Sequence, residues 1–155
     1  MNLDLLRGYI SEYERNFAAI SDQEIYKWRA VKQFQDNWNP DAEDFAGMLK
    51  SSLSGTKNLL GSGNYFPRKM INQNAAINPT AIKAAFLSLY DEEVDLRERI
   101  TSFQARIKEL NSREFRGQKD YQDSRAVMVY LALQYPDSYF CYKFTMFEEF
   151  AVKMG

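Results

Sequence analysis

Leu3, Leu6, Ile10, Tyr13, Phe17 and Ile20 step along the chain by three and four. That spacing returns to one side of a 3.6-residue turn and predicts an amphipathic helix. Ser21 with Glu24 three positions on has the form of a capping box, so a second helix is expected to start there. Its stripe is Ile25, Trp28, Val31, Phe34 and Trp38. Asn39-Pro40-Asp41 offers an N-cap, a proline at the first helical position and an acid in the first turn. A third helix should therefore continue through Phe45, Met48, Leu49 and Leu53.

Ser54 to Asn64 is rich in Gly, Ser and Asn and reads as a loop. Pro67 opens a short helix carrying Met70 and Ile71, and Asn78-Pro79-Thr80 repeats the Asn-Pro start ahead of Ile82, Phe86 and Leu89. A long helix is expected from about Glu92 to Leu110, because Leu96, Ile100, Phe103, Ile107 and Leu110 form the most regular stripe in the chain. Asn111 to Lys119 is polar and basic, contains Gly117, and reads as a second loop. Asp120 or Asp123 then caps a helix through Ala126, Val127, Tyr130, Leu131 and Leu133, which Tyr135-Pro136-Asp137 ends. Tyr139 to Phe144 should be extended or irregular, with a last helix from Thr145 through Phe147, Phe150 and Ala151. The expected fold is all-α, a compact multi-helix arrangement of about seven or eight helices in one domain over residues 1–155. The last helix runs to Gly155 without a tail, so the chain is expected to be part of a longer protein.

Composition narrows the chemistry. The chain of 155 residues is 45% apolar and 15% aromatic, enough for a folded core. It has no apolar run of about 18 residues, which argues against a membrane span. Met1 to Asp4 carries an early acid and no apolar segment, unlike a signal peptide. Cys141 is the only cysteine, so an intrachain disulfide is excluded and a cytoplasmic setting is expected. Without histidine, Ser-His-Asp and Cys-His catalysis and almost every zinc site are ruled out. No cofactor is expected, and the chain reads as a recognition module that is not an enzyme by itself.

The net charge of −1 hides an uneven distribution. Residues 1–44 balance to −4 and residues 91–155 to −2, while 45–90 contain no Asp or Glu and carry Lys50, Lys57, Arg68, Lys69 and Lys83. An anion would meet no local carboxylate there. Inside that segment, Asn64-Tyr65-Phe66-Pro67-Arg68-Lys69 puts two aromatics before a helix start and two cations. Helix N-terminal amides with Arg and Lys favour phosphate oxygens, and Tyr65 or Phe66 can stack on an unpaired base. The plain alternative is that Phe66 and Met70 are core and that Arg68 and Lys69 are merely solvated. Arg113, Arg116, Lys119 and Arg125 surround the second loop, where Glu114, Asp120 and Asp123 offer internal ion pairs. Should this loop fold beside Arg68 and Lys69, the two would make one positive surface.

Other patterns have ordinary readings. Gly61-Ser62-Gly63 lacks the spacing and the Gly-Lys of a P-loop and reads as a flexible loop. Asp41, Glu43 and Asp44, and Asp91, Glu92, Glu93 and Asp95, sit at helix starts, where acids answer the helix dipole better than they suggest an acid–base pair or a metal site. Tyr135, Tyr139, Phe140, Tyr142, Phe144 and Phe147 should be mostly core, with some tyrosines edging a groove. The 96–110 stripe should pack within the domain, although another chain's helix would also fit it.

Several strings carry a family likeness. They are Tyr26-Lys27-Trp28-Arg29-Ala30-Val31-Lys32-Gln33-Phe34-Gln35-Asp36-Asn37-Trp38, Asp41-Ala42-Glu43-Asp44-Phe45-Ala46 and Asn64 through Ile71, then Tyr121-Gln122-Asp123, Ala126-Val127 with Tyr130-Leu131-Ala132, and Tyr135-Pro136-Asp137 through Tyr142-Lys143. In this order, over residues 24–152, they resemble the N-terminal helical region of McrB-like AAA+ proteins of modification-dependent restriction systems. The resemblance implies a longer protein with an AAA+ motor, a nuclease partner subunit and a role for this region in choosing the DNA target. The motor's own motifs are absent from this chain, so no NTPase activity is carried over, nor is base flipping. The DNA-contacting candidates Lys57, Asn64, Tyr65, Phe66, Arg68, Lys69, Arg113, Arg116, Lys119 and Arg125 follow from charge alone. A second expectation is a protein-docking module for the motor, the nuclease or another partner, marked by a contiguous exposed apolar patch. An enzyme working by carboxylates alone would need a deep pocket with two facing acids.

Overall fold

The computed structural model describes residues 2–141 and 144–154, apart from the side chains of residues 20, 22, 23, 144 and 146. The fold is all-α, with seven α-helices and one 3-10 segment among the described residues. They are α1 (Leu3–Asn37), α2 (Phe45–Ser52), the 3-10 segment Ser54–Leu59, α3 (Pro67–Ile77), α4 (Pro79–Leu89), α5 (Leu96–Glu114), α6 (Ser124–Gln134) and α7 (Phe144–Met154). No helix among the described residues is long and apolar enough to cross a membrane.

The two helices expected over 3–38 are one helix of 35 residues. Ser21 does not cap: its hydroxyl donates back to the Ala18 carbonyl at 3.2 Å, and Glu24 pairs with Lys27 one turn on. Neither Pro nor Gly interrupts residues 9–37, so a capping-box spelling alone does not stop the helix. Asn39 likewise starts no helix. Its side chain accepts the Asp41 amide at 3.0 Å in a turn, and Asp44 caps α2 by accepting from Gly47 at 2.9 Å. Asp95 caps α5 after an Asp91 turn, and that helix continues through the expected loop start to Glu114. The boundaries at Pro67, Pro79 and Asp123 stand as the sequence predicts, since each carries a device that a helix start needs.

The core lies where the C-terminal half of α1 meets α2, the 3-10 segment and α6, and where α4 packs on α3 and α5. Phe86 is its centre, with ring centroids 5.1 Å from Tyr130, 5.2 Å from Phe103 and 5.6 Å from Trp38. The α5 stripe is spent inside the fold: Phe103 and Ile107 are buried, and Leu96, Ile100 and Leu110 pack against the core. Arg99 is also buried; it donates to the Leu89 carbonyl at 3.0 Å and to the Tyr139 hydroxyl at 2.8 Å. Tyr139 in turn donates to Glu92 at 2.9 Å, which pins the segment after α6 to the start of α5.

Two apolar stretches differ from expectation. Ile25 and Trp28 are exposed, Trp28 by 64%, so the expected stripe over 25–38 turns inward only from Ala30 and Val31 onward. Of the aromatic patch after α6, Phe140 and Phe147 are exposed, while Tyr135 and Tyr139 pack against the core. Tyr142 and Lys143, and the side chains of Phe144 and Ile20, lie outside the described residues.

Candidate nucleic-acid interface

The loop before α3 and the loop before α6 meet. Ser62 and Tyr65 exchange two backbone hydrogen bonds, each 3.0 Å, across a two-residue turn at Gly63-Asn64. Gly63 takes the φ of +54° that such a turn needs, and Asn64 sits exposed at its tip. Tyr65 then points at the second loop. Its hydroxyl donates to Asp123 Oδ1 at 2.6 Å, and its ring lies edge to face with Tyr121 at 6.0 Å. Phe66 meets the same Tyr121 ring at 5.8 Å and stays 40% exposed. Burial, and after it the Asp123 hydrogen bond, push the Tyr65 phenol well above its ordinary pKa, so it is a neutral donor at physiological pH.

Tyr121 joins the loops at a cost. It holds φ +59°, in the left-handed region that a bulky residue seldom occupies. Gln122 fixes it there. Its buried side-chain amide donates to the carbonyls of Pro67 and Asp120, each at 2.9 Å, and its Oε1 accepts the Tyr130 hydroxyl at 2.8 Å. Gln122 thus ties the start of α3 to α6 through the core. A second tie runs through Asn111, which accepts from Asn74 of α3 at 3.1 Å and donates to the Gln118 carbonyl at 2.8 Å.

Two cations stand against this cluster. The Arg125 guanidinium stands 4.8 Å from the Tyr65 ring centroid and Lys119 Nζ 5.3 Å from that of Tyr121. Arg116 and Lys119 border a hollow of about 370 Å³ together with Lys108. Lys69 is exposed at the start of α3, which no side chain caps, and Lys57 is exposed on the 3-10 segment. Of the second loop's cations, only Arg113 is held in an ion pair among the described residues, with Glu109. The internal pairing expected for Arg116, Lys119 and Arg125 is absent there at 4 Å or less. Arg68 departs from expectation. It is half-buried, and its Nη1 donates to the Ser54 carbonyl at 3.1 Å, with Thr56 Oγ1 at 3.4 Å. Its first task is therefore to brace the 3-10 segment against α3. Lys83 pairs with Asp41 at 3.2 Å.

Tyr121, Gln122 and Asp123 organise the site, although the sequence marks them only as a family-like string with a helix cap at Asp123. Their importance depends on a backbone torsion and on contacts 55 and 58 residues away, which no local pattern encodes. Five of the seven carboxylates singled out in the sequence have structural partners: Asp44 and Asp95 cap helices, Asp91 accepts the Glu93 amide, Asp41 pairs with Lys83, and Glu92 accepts from Tyr139. Among the described residues no three Cys, Asp or Glu side chains converge as metal ligands would.

A second surface is apolar. From Asn2 to Ala19 every residue is exposed except Leu6, which is half-buried. Helix α7 lies beside this stretch, with the Asn2 amide donating to the Met154 carbonyl at 3.3 Å and Lys153 Nζ 6.0 Å from the Tyr9 ring centroid. Between α7, α5 and α6 is an open apolar hollow of about 750 Å³, lined in part by Leu96, Ile100, Met128, Phe140 and Phe150. No family model, curated protein or solved structure matches this chain.

Proposed function

We propose that this chain is a DNA-contacting, target-recognition module of a cytoplasmic McrB-like restriction or phage-defence protein, non-catalytic by itself. The meeting of the loop before α3 with the basic loop before α6 at the Tyr65–Tyr121–Phe66 cluster carries the reading, because it sets exposed Lys119 and half-buried Arg125 against aromatic faces. Lys57, Lys69, Arg116, Lys119 and Arg125 supply phosphate contacts, Asn64 and Phe66 reach a sugar or base edge, and Arg68 positions the loop. The likeness over residues 24–152 supports the setting, with an AAA+ motor and a nuclease subunit as partners. Binding to duplex and single-stranded DNA, methylated and unmodified, tests it across a salt series. Three or four phosphate contacts give a log–log slope of about −3 to −4 on duplex. Affinity that ignores salt, or no binding at low salt, rejects the reading.

The second reading, a protein-docking module, is favoured by one observation. Leu3, Ile10, Tyr13, Phe17 and Trp28 leave a contiguous apolar stripe exposed along α1.

A further inference from the structure

The exposed half of α1 carries a repeat that a helix lying alone does not need. Leu3, Ile10 and Phe17 recur every seven residues, and Leu6 and Tyr13 fall three after the first two of them. These are the a and d positions of a heptad, the spacing that keeps one seam facing a partner helix. The seam is largely open: Leu3, Ile10, Tyr13 and Phe17 are all exposed, Leu6 is half-buried, and Tyr13 borders a hollow it shares with Pro136 and Phe140. A helical stretch with so few contacts is marginal in water unless its apolar face is covered.

Charge selects the cover. In this heptad Arg7 and Glu14 both occupy the e position, and both are exposed. When two copies of the stretch lie antiparallel, with Ile10 of each against Tyr13 of the other and Leu6 against Phe17, facing e positions bring Arg7 of one copy to Glu14 of the other. The two-fold makes that pair twice. A parallel arrangement sets Glu14 beside Tyr9 instead and forms no charge pair. Antiparallel pairing also sends the two helical bodies to opposite ends, because the core contacts of α1 begin only at Tyr26.

We infer that the chain forms a two-fold antiparallel dimer through the N-terminal half of α1, the covering partner being a second copy of itself. This stands apart from the DNA reading, since the basic loops are not part of the seam. The only ion pair of Arg7 among the described residues is with Asp4 in its own helix, at 3.5 Å and highly exposed, which leaves the guanidinium accessible to a partner.

Sedimentation equilibrium of the full chain without DNA, from about 1 to about 100 μM, tests the inference. The wild type is expected to dimerise. Arg7→Glu or Glu14→Arg alone should weaken the dimer about tenfold, and the two together should restore it, because the swap exchanges the charges across the two-fold. Ile10→Asp should leave a monomer whose thermal unfolding shows the helical body intact, since Ile10 belongs neither to the core nor to the residues packed against it. A monomer throughout the range overturns the inference. So does a dimer that the single reversals leave unchanged, or one that the double exchange fails to restore.

Discussion

The phenol of Tyr65 and the carboxylate of Asp123 meet at 2.6 Å across 58 residues of chain, and the same carboxylate oxygen accepts the Ala126 amide at 3.1 Å. One atom thus starts α6 and holds the loop before α3. The cap would be there for α6 alone; the tyrosine makes it the joint between the two basic loops.

Tyr65→Phe removes the joint and keeps the ring over Arg125. A loss of about 1 kcal/mol is expected in denaturant unfolding, as for a single part-exposed hydrogen bond. The alkaline limb checks the same contact. The folded-state pKa of Tyr65 is raised, as are those of Tyr90, Tyr130 and Tyr135, by burial first in each case. The folded state then binds more protons than the unfolded state above the ordinary phenol value of about 10. Stability from these groups is fully present below that pH and is lost as pH rises beyond it. The melting temperature should fall more shallowly there in Tyr65→Phe than in the wild type.

Gln122→Leu strands the Tyr130 hydroxyl in the core and cuts the tie to the Pro67 carbonyl, which keeps its place in the α3 ladder. The expected cost is about 2 kcal/mol, since a buried hydroxyl loses its partner. A variant as stable as wild type in urea would mean that Gln122 does not hold the loops together.

The cations divide into two kinds with different readouts. Lys119→Ala with Arg125→Ala should lower the magnitude of the salt slope of DNA binding by about 2. Arg113→Ala should leave the slope unchanged, because Glu109 already holds that side chain. Arg68→Ala should cost about 1 kcal/mol of stability through its bond to the Ser54 carbonyl, with a smaller change in slope. Equal slopes for all three variants would remove the distinction drawn between them.

Gly8 lies in the exposed half of α1 with no atom within 4 Å of where a Cβ would sit. Gly8→Ala should stabilise that half by up to about 1 kcal/mol. Circular dichroism checks it as increased helicity at an unchanged core melting temperature.

Helix content, the Pro67, Pro79 and Asp123 starts and the chemical character of the basic segment were legible in the sequence. Each depends on residues within a turn or two of one another: a period, a cap, a fixed proline φ. Tertiary contact decided the rest. The Ser21–Glu24 spelling lost to an uninterrupted helical backbone, and Asn39 to the Asp44 cap. Arg68 became a brace while Lys119 and Arg125 stayed exposed enough to line an aromatic cluster. Tyr121 took a left-handed backbone next to Gln122, which is buried between Pro67 and Tyr130. The apolar period of α1 shows the same division. The sequence by itself determined two apolar stripes, over 3–20 and 25–38, because those follow from spacing alone. Only the fold joined them in one helix, buried the part from Ala30 onward against α2 and α6 and left the rest of the apolar face largely open, because burial depends on where distant helices end.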